Sequence, residues 1–159
     1  MLQALIDESQ SHHGPRMFIL GGYIATAEQW EKLTAAWQAI LDQPPRISYF
    51  SAREAYSLNG KLRGQFNRFT QAERDEKVAL FRSAIERFLT AEISLGFQME
   101  LYEEAFFDVE KLNKSPYYFA IPQLEMFAIR NMEKFGLPQQ EIEFIYDNRK
   151  IEEPLLLDA

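Results

Sequence analysis

The segment Met17–Ala25 (MFILGGYIA) is a near-continuous apolar run of β-formers and constrains the fold more than any other part of the chain. It is too short to span a bilayer as a helix. A run of this kind reads as a strand covered on both faces, which demands layers on either side of a sheet. Gly21-Gly22 inside it predicts a bulge or a close approach by a neighbouring backbone. Leu2–Asp7 reads as a short strand before it, and Glu8–Arg16, with its Ser, His, Gly and Pro, as the hairpin connection. Further on, Glu92–Leu101 alternates cleanly. Ile93, Leu95, Phe97, Met99 and Leu101 fall on one side, and Glu92, Ser94, Gly96, Gln98 and Glu100 on the other, as in a strand with one buried face. Glu141–Tyr146 is the last predicted strand and is followed by Asp147.

Helix signals lie between these strands. Thr26 with Gln29 and Thr70 with Glu73 have the spacing of capping boxes. The first opens a helix whose stripe is Trp30, Leu33, Trp37 and Ile40, ended by Pro44-Pro45. At this spacing the two tryptophans are core residues rather than a binding platform. The second helix runs to about Leu89 with Val78, Phe81, Ile85 and Phe88 on one face. Between them, Arg46–Phe69 reads as a long connection with a short strand near Ile47–Phe50 and a helical turn around Ala52–Tyr56. Tyr102–Asn113 reads as a short acidic helix. Ser115-Pro116 starts another helix, with Ile121, Leu124, Ala128, Met132 and Phe135 as its stripe and Gly136 and Pro138 as its stop. Pro122 should kink that helix or mark its true start. The order predicts an α/β fold, a mixed sheet flanked by helices, in one domain over residues 1–159.

A chain of 159 residues buries roughly 70% of its unfolded surface and needs no staple. It contains no cysteine, so disulfides and Cys-ligated metals are excluded. Met1–Glu8 lacks a basic start and meets acid early, unlike a secretory signal, so a cytoplasmic location and no membrane partner are expected. The net charge of −7 argues against extensive phosphate binding. The charge is uneven, however. From Arg46 to Arg68 five basic residues (Arg46, Arg53, Lys61, Arg63 and Arg68) face one acid, Glu54, a local charge of +4. Tyr49, Phe50, Tyr56, Phe66 and Phe69 are interleaved with them. That mixture suits a single-stranded or phosphate-bearing ligand, or else a solvated loop with anchoring aromatics.

Two predicted strands end in aspartate, Leu5-Ile6-Asp7 and Phe144-Ile145-Tyr146-Asp147. Carboxyl edges of open α/β sheets are where ligands sit. If the two strands are parallel neighbours, Asp7 and Asp147 converge, and Mg²⁺ or Mn²⁺ would relieve their repulsion. Such an ion can polarise a phosphodiester and activate water. A third acid is then required, and Glu54, flanked by Arg53 in the irregular segment, is the candidate. Aspartate is equally at home where strands give way to turns, accepting from backbone amides. His12-His13 can serve as ligands or a base, or as solvated loop residues. No Ser-His-Asp arrangement, Walker-type loop or dinucleotide fingerprint is present.

Leu5-Ile6-Asp7-Glu8-Ser9, then Phe18-Ile19-Leu20-Gly21-Gly22-Tyr23-Ile24, then Gln29-Trp30, resembles the opening of the domain-of-unknown-function 3800 family of bacteria and phages. Tyr49-Phe50-Ser51-Ala52-Arg53-Glu54 is similar to that family's aromatic-His-Ala segment, and Phe144-Ile145-Tyr146-Asp147 to its second strand-terminal aspartate. The resemblance implies a ribonuclease-H-like sheet with Asp7 and Asp147 in an acidic cluster and Glu54 as a third member. It implies a divalent-metal-dependent nuclease, with Arg53, Lys61 and Arg63 meeting phosphates of a nucleic acid. Gln10 stands where glycine is usual, and Ser51 where histidine is common. The family continues into a C-terminal helix carrying a further acid, and this chain stops as that helix would begin. It therefore reads as a fragment of a slightly longer domain lacking the helix. The alternative is a non-catalytic interaction scaffold derived from the same fold. Its apolar tail, Leu155-Leu156-Leu157, would then dock on a second copy or a partner protein.

Overall fold

The computed structural model describes residues 1–10, 15–56, 62–110, 112 and 115–146. His12, His13 and the tail Leu155–Leu157 lie outside the described residues. The backbone groups into two compact units. One comprises Met1–Thr26 with the chain from Thr90 onward, and the other is Ala27–Leu89.

The first unit is a four-stranded mixed sheet with helices, an α/β arrangement. Its strands are β1 (Leu2–Gln10), β2 (Met17–Thr26), β3 (Ala91–Gln98) and β4 (Ile142–Tyr146), in the order β3-β2-β1-β4. β1 pairs antiparallel with β2, and β2 antiparallel with β3. β4 lies parallel to β1, from Leu2 opposite Ile142 to Ile6 opposite Tyr146. A parallel partner needs a crossover connection, and the chain makes it through helices α4 (Met99–Ala105) and α5 (Tyr117–Arg130).

The two-residue period of a strand sorts these side chains. Leu2, Ala4 and Ile6 turn to one face of the sheet and are buried with Phe18, Leu20, Ile24, Ala91 and Ile93. Ile121, Leu124 and Ala128 of the predicted stripe, with Ala120, close this core from α5; Met132 and Phe135 also pack on it, but from the turn after the helix ends at Arg130. Phe18 sits at the centre, stacked on Phe97 at 5.2 Å and edge-on to Tyr117 at 5.2 Å. Pro122 neither breaks α5 nor marks its start, because the helix runs through it. The helix begins one residue beyond the Ser115-Pro116 signal.

β3 stops at Gln98, and Met99–Leu101 turn into α4 instead of continuing the strand. The alternating pattern persisted to Leu101, but Leu101 is 61% exposed, so no buried face held the last positions extended. β2 carries no bulge, as its register with both neighbours is continuous. Gly22 answers instead to close approach: a methyl group there would overlap the Leu5 carbonyl of β1.

The second unit contains α1 (Ala27–Asp42), the short α2 (Ala52–Ala55), a 3-10 turn (Gly64–Phe66) and α3 (Gln71–Phe88). Thr26, expected as a helix cap, ends β2 and stands immediately before α1, at the N-cap position. The Thr70–Glu73 capping box is present, with both reciprocal bonds made. Leu41, Ile47, Ala55, Phe66 and Phe81 form the core, with Trp37, Ile40 and Phe50 packed on it. Ile47–Phe50 is irregular rather than a strand. It pairs with no described strand, and Ile47 is held by burial and by its N–H, which donates to the Leu41 carbonyl at 3.1 Å. The buried Lys77 of α3 closes the end of α1, donating to the carbonyls of Ile40 at 2.7 Å and Gln43 at 2.6 Å. Burial pulls its ammonium below the ordinary lysine range.

Gly22→Ala should destabilise the fold by about 1–3 kcal/mol through this backbone overlap. Gly96→Ala, whose methyl would meet Ile19 Cγ1 at an ordinary 3.5 Å, should be neutral or stabilise by up to about 1 kcal/mol. Urea denaturation of the two variants measures the difference.

Candidate functional site

Asp7 lies within β1 rather than at its end. The strand continues to Gln10, with Asp7 opposite Gly21 and Gln10 opposite Phe18 on β2. What ends just before Asp7 is the described pairing with β4, whose last pair is Ile6 with Tyr146. β1 therefore runs three residues past the end expected from the sequence. Alternation sends Asp7 to the sheet face opposite the Ile6 core, where it is exposed. Its Oδ1 accepts from the Glu8 N–H at 2.7 Å. Across the sheet from it stand Gly21 and then Ser94, two small residues that leave space beside the carboxylate. Leu5 and Ile145, a cross-strand pair on that same face, are each 40% exposed.

Asp147 and Lys61 lie outside the described residues. The residue before Asp147 is firmly held. Tyr146 Oη donates to Glu125 Oε1 of α5 at 2.8 Å. Burial first, and then the bond to Glu125, push the phenol far above the ordinary tyrosine range. The sequence reading overlooked this anchor. A tyrosine at the end of an apolar strand and a glutamate inside a helical apolar stripe were its only traces.

Glu54 belongs to the second unit and Asp7 to the first. Its carboxylate is engaged locally. Tyr49 Oη donates to Oε1 at 2.8 Å, and the Gln65 N–H to Oε2 at 2.8 Å. The carboxylate lies over Gly64, whose φ of +51° suits glycine and where a methyl group would overlap it. Ser51 caps α2, its Oγ accepting from the Glu54 N–H at 3.4 Å. Glu54 thereby ties α2 to the 3-10 turn. Arg53 on α2 and Arg63 just before the 3-10 turn are both exposed.

Among the described residues, no three His, Asp or Glu side chains stand together as a metal would require. A hard cation takes about six oxygens, and the described chain offers Asp7 alone at the β1–β4 end. Asp7 by itself does not complete such a donor set. Among the described residues, no helix is long and apolar enough to cross a membrane. Comparison of the chain with family models, with curated proteins and with solved structures found no match.

The Tyr49 phenol is raised above the ordinary tyrosine range, first by its bond to Glu54, then by burial and the carboxylate charge. Because the folded value is raised, this contribution to stability is complete below about pH 10 and disappears as pH rises through the folded value. Glu54→Ala should lower the Tyr49 titration midpoint, followed by NMR of the assigned ring. The same variant should destabilise by about 1–2 kcal/mol, since two donors lose their acceptor.

Proposed function

We propose that the chain is a divalent-metal-dependent nuclease of ribonuclease-H-like type, hydrolysing phosphodiesters with Asp7 and Asp147 as its principal acids. The parallel pairing of β1 with β4, with Ile6 opposite Tyr146, is the observation that carries this reading. Asp147 is the next residue after Tyr146, as Asp7 is after Ile6. This reading expects the carboxylates of the two acids to converge. Two carboxylates so placed repel, and Mg²⁺ or Mn²⁺ is the natural partner. Held by Asp7 and Asp147, such an ion would supply Lewis-acid chemistry for phosphodiester hydrolysis. Arg53, Lys61 and Arg63 meet the phosphates of a nucleic acid.

A second reading, a non-catalytic interaction scaffold, is favoured by apolar exposure on the helices of the first unit. Leu101 of α4 is 61% exposed, and Ile129 and Phe127 of α5 are 55% and 48% exposed. Exposed apolar side chains in such numbers mark surfaces that meet a partner.

Asp7→Asn should cut Mg²⁺- or Mn²⁺-dependent cleavage of nucleic acid by more than about 100-fold, since even outer-shell partners of a metal are worth roughly 10–100-fold. The exposed side chain can change without unfolding the sheet, as circular dichroism would verify. Equal cleavage by variant and parent would remove Asp7 from the site. Calorimetric titration with Mn²⁺ separates the two readings: submillimolar binding lost in Asp147→Asn fits the nuclease, and absence of binding fits the scaffold.

A further inference from the structure

The short stretch around α2 exposes two large aromatic side chains that no described core requires. Tyr49 is 48% exposed and Tyr56 is 57% exposed. Neither ring is left to swing. Tyr49 is tethered by its hydroxyl to Glu54 Oε1 at 2.8 Å, and Glu54 is pinned in turn by the Gln65 N–H at 2.8 Å. Gln65 Oε1 accepts from the N–H and the Oγ of Ser48, at 2.8 Å and 2.9 Å, which returns the chain of bonds to the residue beside Tyr49. The Tyr56 ring lies 5.2 Å from the guanidinium carbon of Arg74. An aromatic side chain already fixed loses little freedom when a ligand stacks on it.

The charges around these rings are complementary to phosphate. Arg53 is exposed on α2, next in sequence to Glu54. Arg63 is exposed, and its N–H donates to the Glu54 carbonyl at 3.4 Å, which brings it into the same local structure. Glu54, the acid of this segment, accepts from Tyr49 and the Gln65 N–H and keeps its negative charge, but Arg53 and Arg63 outnumber it.

We propose that this surface of the second unit binds single-stranded nucleic acid, with Tyr49 and Tyr56 stacking on bases and Arg53 and Arg63 meeting the backbone phosphates. A single strand is favoured over a duplex for two reasons. Base faces are open to an aromatic ring only when unstacked from their neighbours. Two arginines are too few to hold a duplex through its phosphates in a chain of net charge −7. The inference shares Arg53 and Arg63 with the proposed nuclease but goes beyond it, because binding here requires neither Asp7 nor a metal.

The test is fluorescence anisotropy in EDTA with labelled oligothymidylate, oligouridylate and a duplex of equal length. The parent should bind single strands more tightly than duplex. The affinity should depend only shallowly on salt, with a log–log slope of about −1 to −2 for two phosphate contacts. The two single strands report whether the sugar matters, and binding of either one supports the proposal. Tyr49→Ala should weaken binding by about tenfold or more, the loss of one base–aromatic stack. Tyr49→Phe, which keeps the ring but loses the bond that fixes it, should bind with an affinity between those of the parent and Tyr49→Ala. Arg53→Glu, at an exposed position, decides the matter if Tyr49→Ala does not fold, and it too should weaken binding. Absence of binding by the parent, preference for duplex, or unchanged binding in folded Tyr49→Ala or in Arg53→Glu would overturn the proposal. Because this binding is measured without metal, absence of cleavage by the parent with binding retained sinks the nuclease reading alone, and absence of binding sinks this one, so the two failures are told apart.

Discussion

The parallel contact between β1 and β4 is the constraint on which the first unit turns. β1 is held on one edge by its hairpin partner and on the other by a strand that arrives from far along the chain. Such a non-local pairing carries a loop-closure cost that must be repaid by burial. The repayment is visible in Leu2, Ala4 and Ile6, which point into the α5 core from the strand that β4 joins. The Tyr146–Glu125 bond then fastens the far end of β4 to the helix that precedes it. Both faces of β1 are thereby committed, the inner one to packing and the outer one to Gln3, Leu5 and Asp7. Gln3 uses that outer face to donate to Glu143 of β4 at 2.8 Å, a second fastening between the same two strands.

The second unit solves a different problem with polar groups. Between α1 and α3 the chain has no described strand to satisfy its backbone, so side chains take the role of partner. Lys77 satisfies the last carbonyls of α1, Ser51 an amide of α2, and Glu54 an amide of the 3-10 turn. Thr70 and Glu73 do the same at the start of α3. The apolar part of this unit is a group of rings, with Trp37, Phe50 and Phe81 in mutual contact at centroid distances of 4.3–5.9 Å.

Legibility in the sequence followed the strength of the local signal. The strand Met17–Ala25, the Thr70–Glu73 box and the stripe of α5 were readable because periodicity and capping are local. The ends of β1 and β3 were not. Whether a strand stops at Asp7 or at Gln10 depends on which neighbour remains beside it, a matter of tertiary pairing. The supposed strand at Ile47–Phe50 failed for the same reason, since β-formers without a partner strand fall back on burial. At the candidate site, the strand that carries Asp7 was legible, but its parallel pairing with β4 was a condition that only tertiary structure could meet. The engagement of Glu54 was not legible, because its partners Tyr49 and Gln65 are joined through a turn at Gly64 that no periodicity announces. Lys77 and Tyr146 were invisible as well, since a lysine or tyrosine in an amphipathic element reads as a surface residue until its partner is known.

A net charge of −7 does not govern what a small patch can bind. At physiological ionic strength the Debye length is about 8 Å, so acids elsewhere on the chain are largely screened from an anion meeting Arg53 or Arg63. What such an anion meets is the local balance. Glu54 is the counter-charge of its segment, but Arg53 and Arg63 outnumber it, and its oxygens are turned to Tyr49 and to a backbone amide. The same bonds that make Glu54 a poor candidate for a metal ligand hold the Tyr49 ring in place at the surface. A carboxylate read from sequence as chemistry thus serves in the fold as a brace, and the exposed ring it braces becomes the feature with something to recognise.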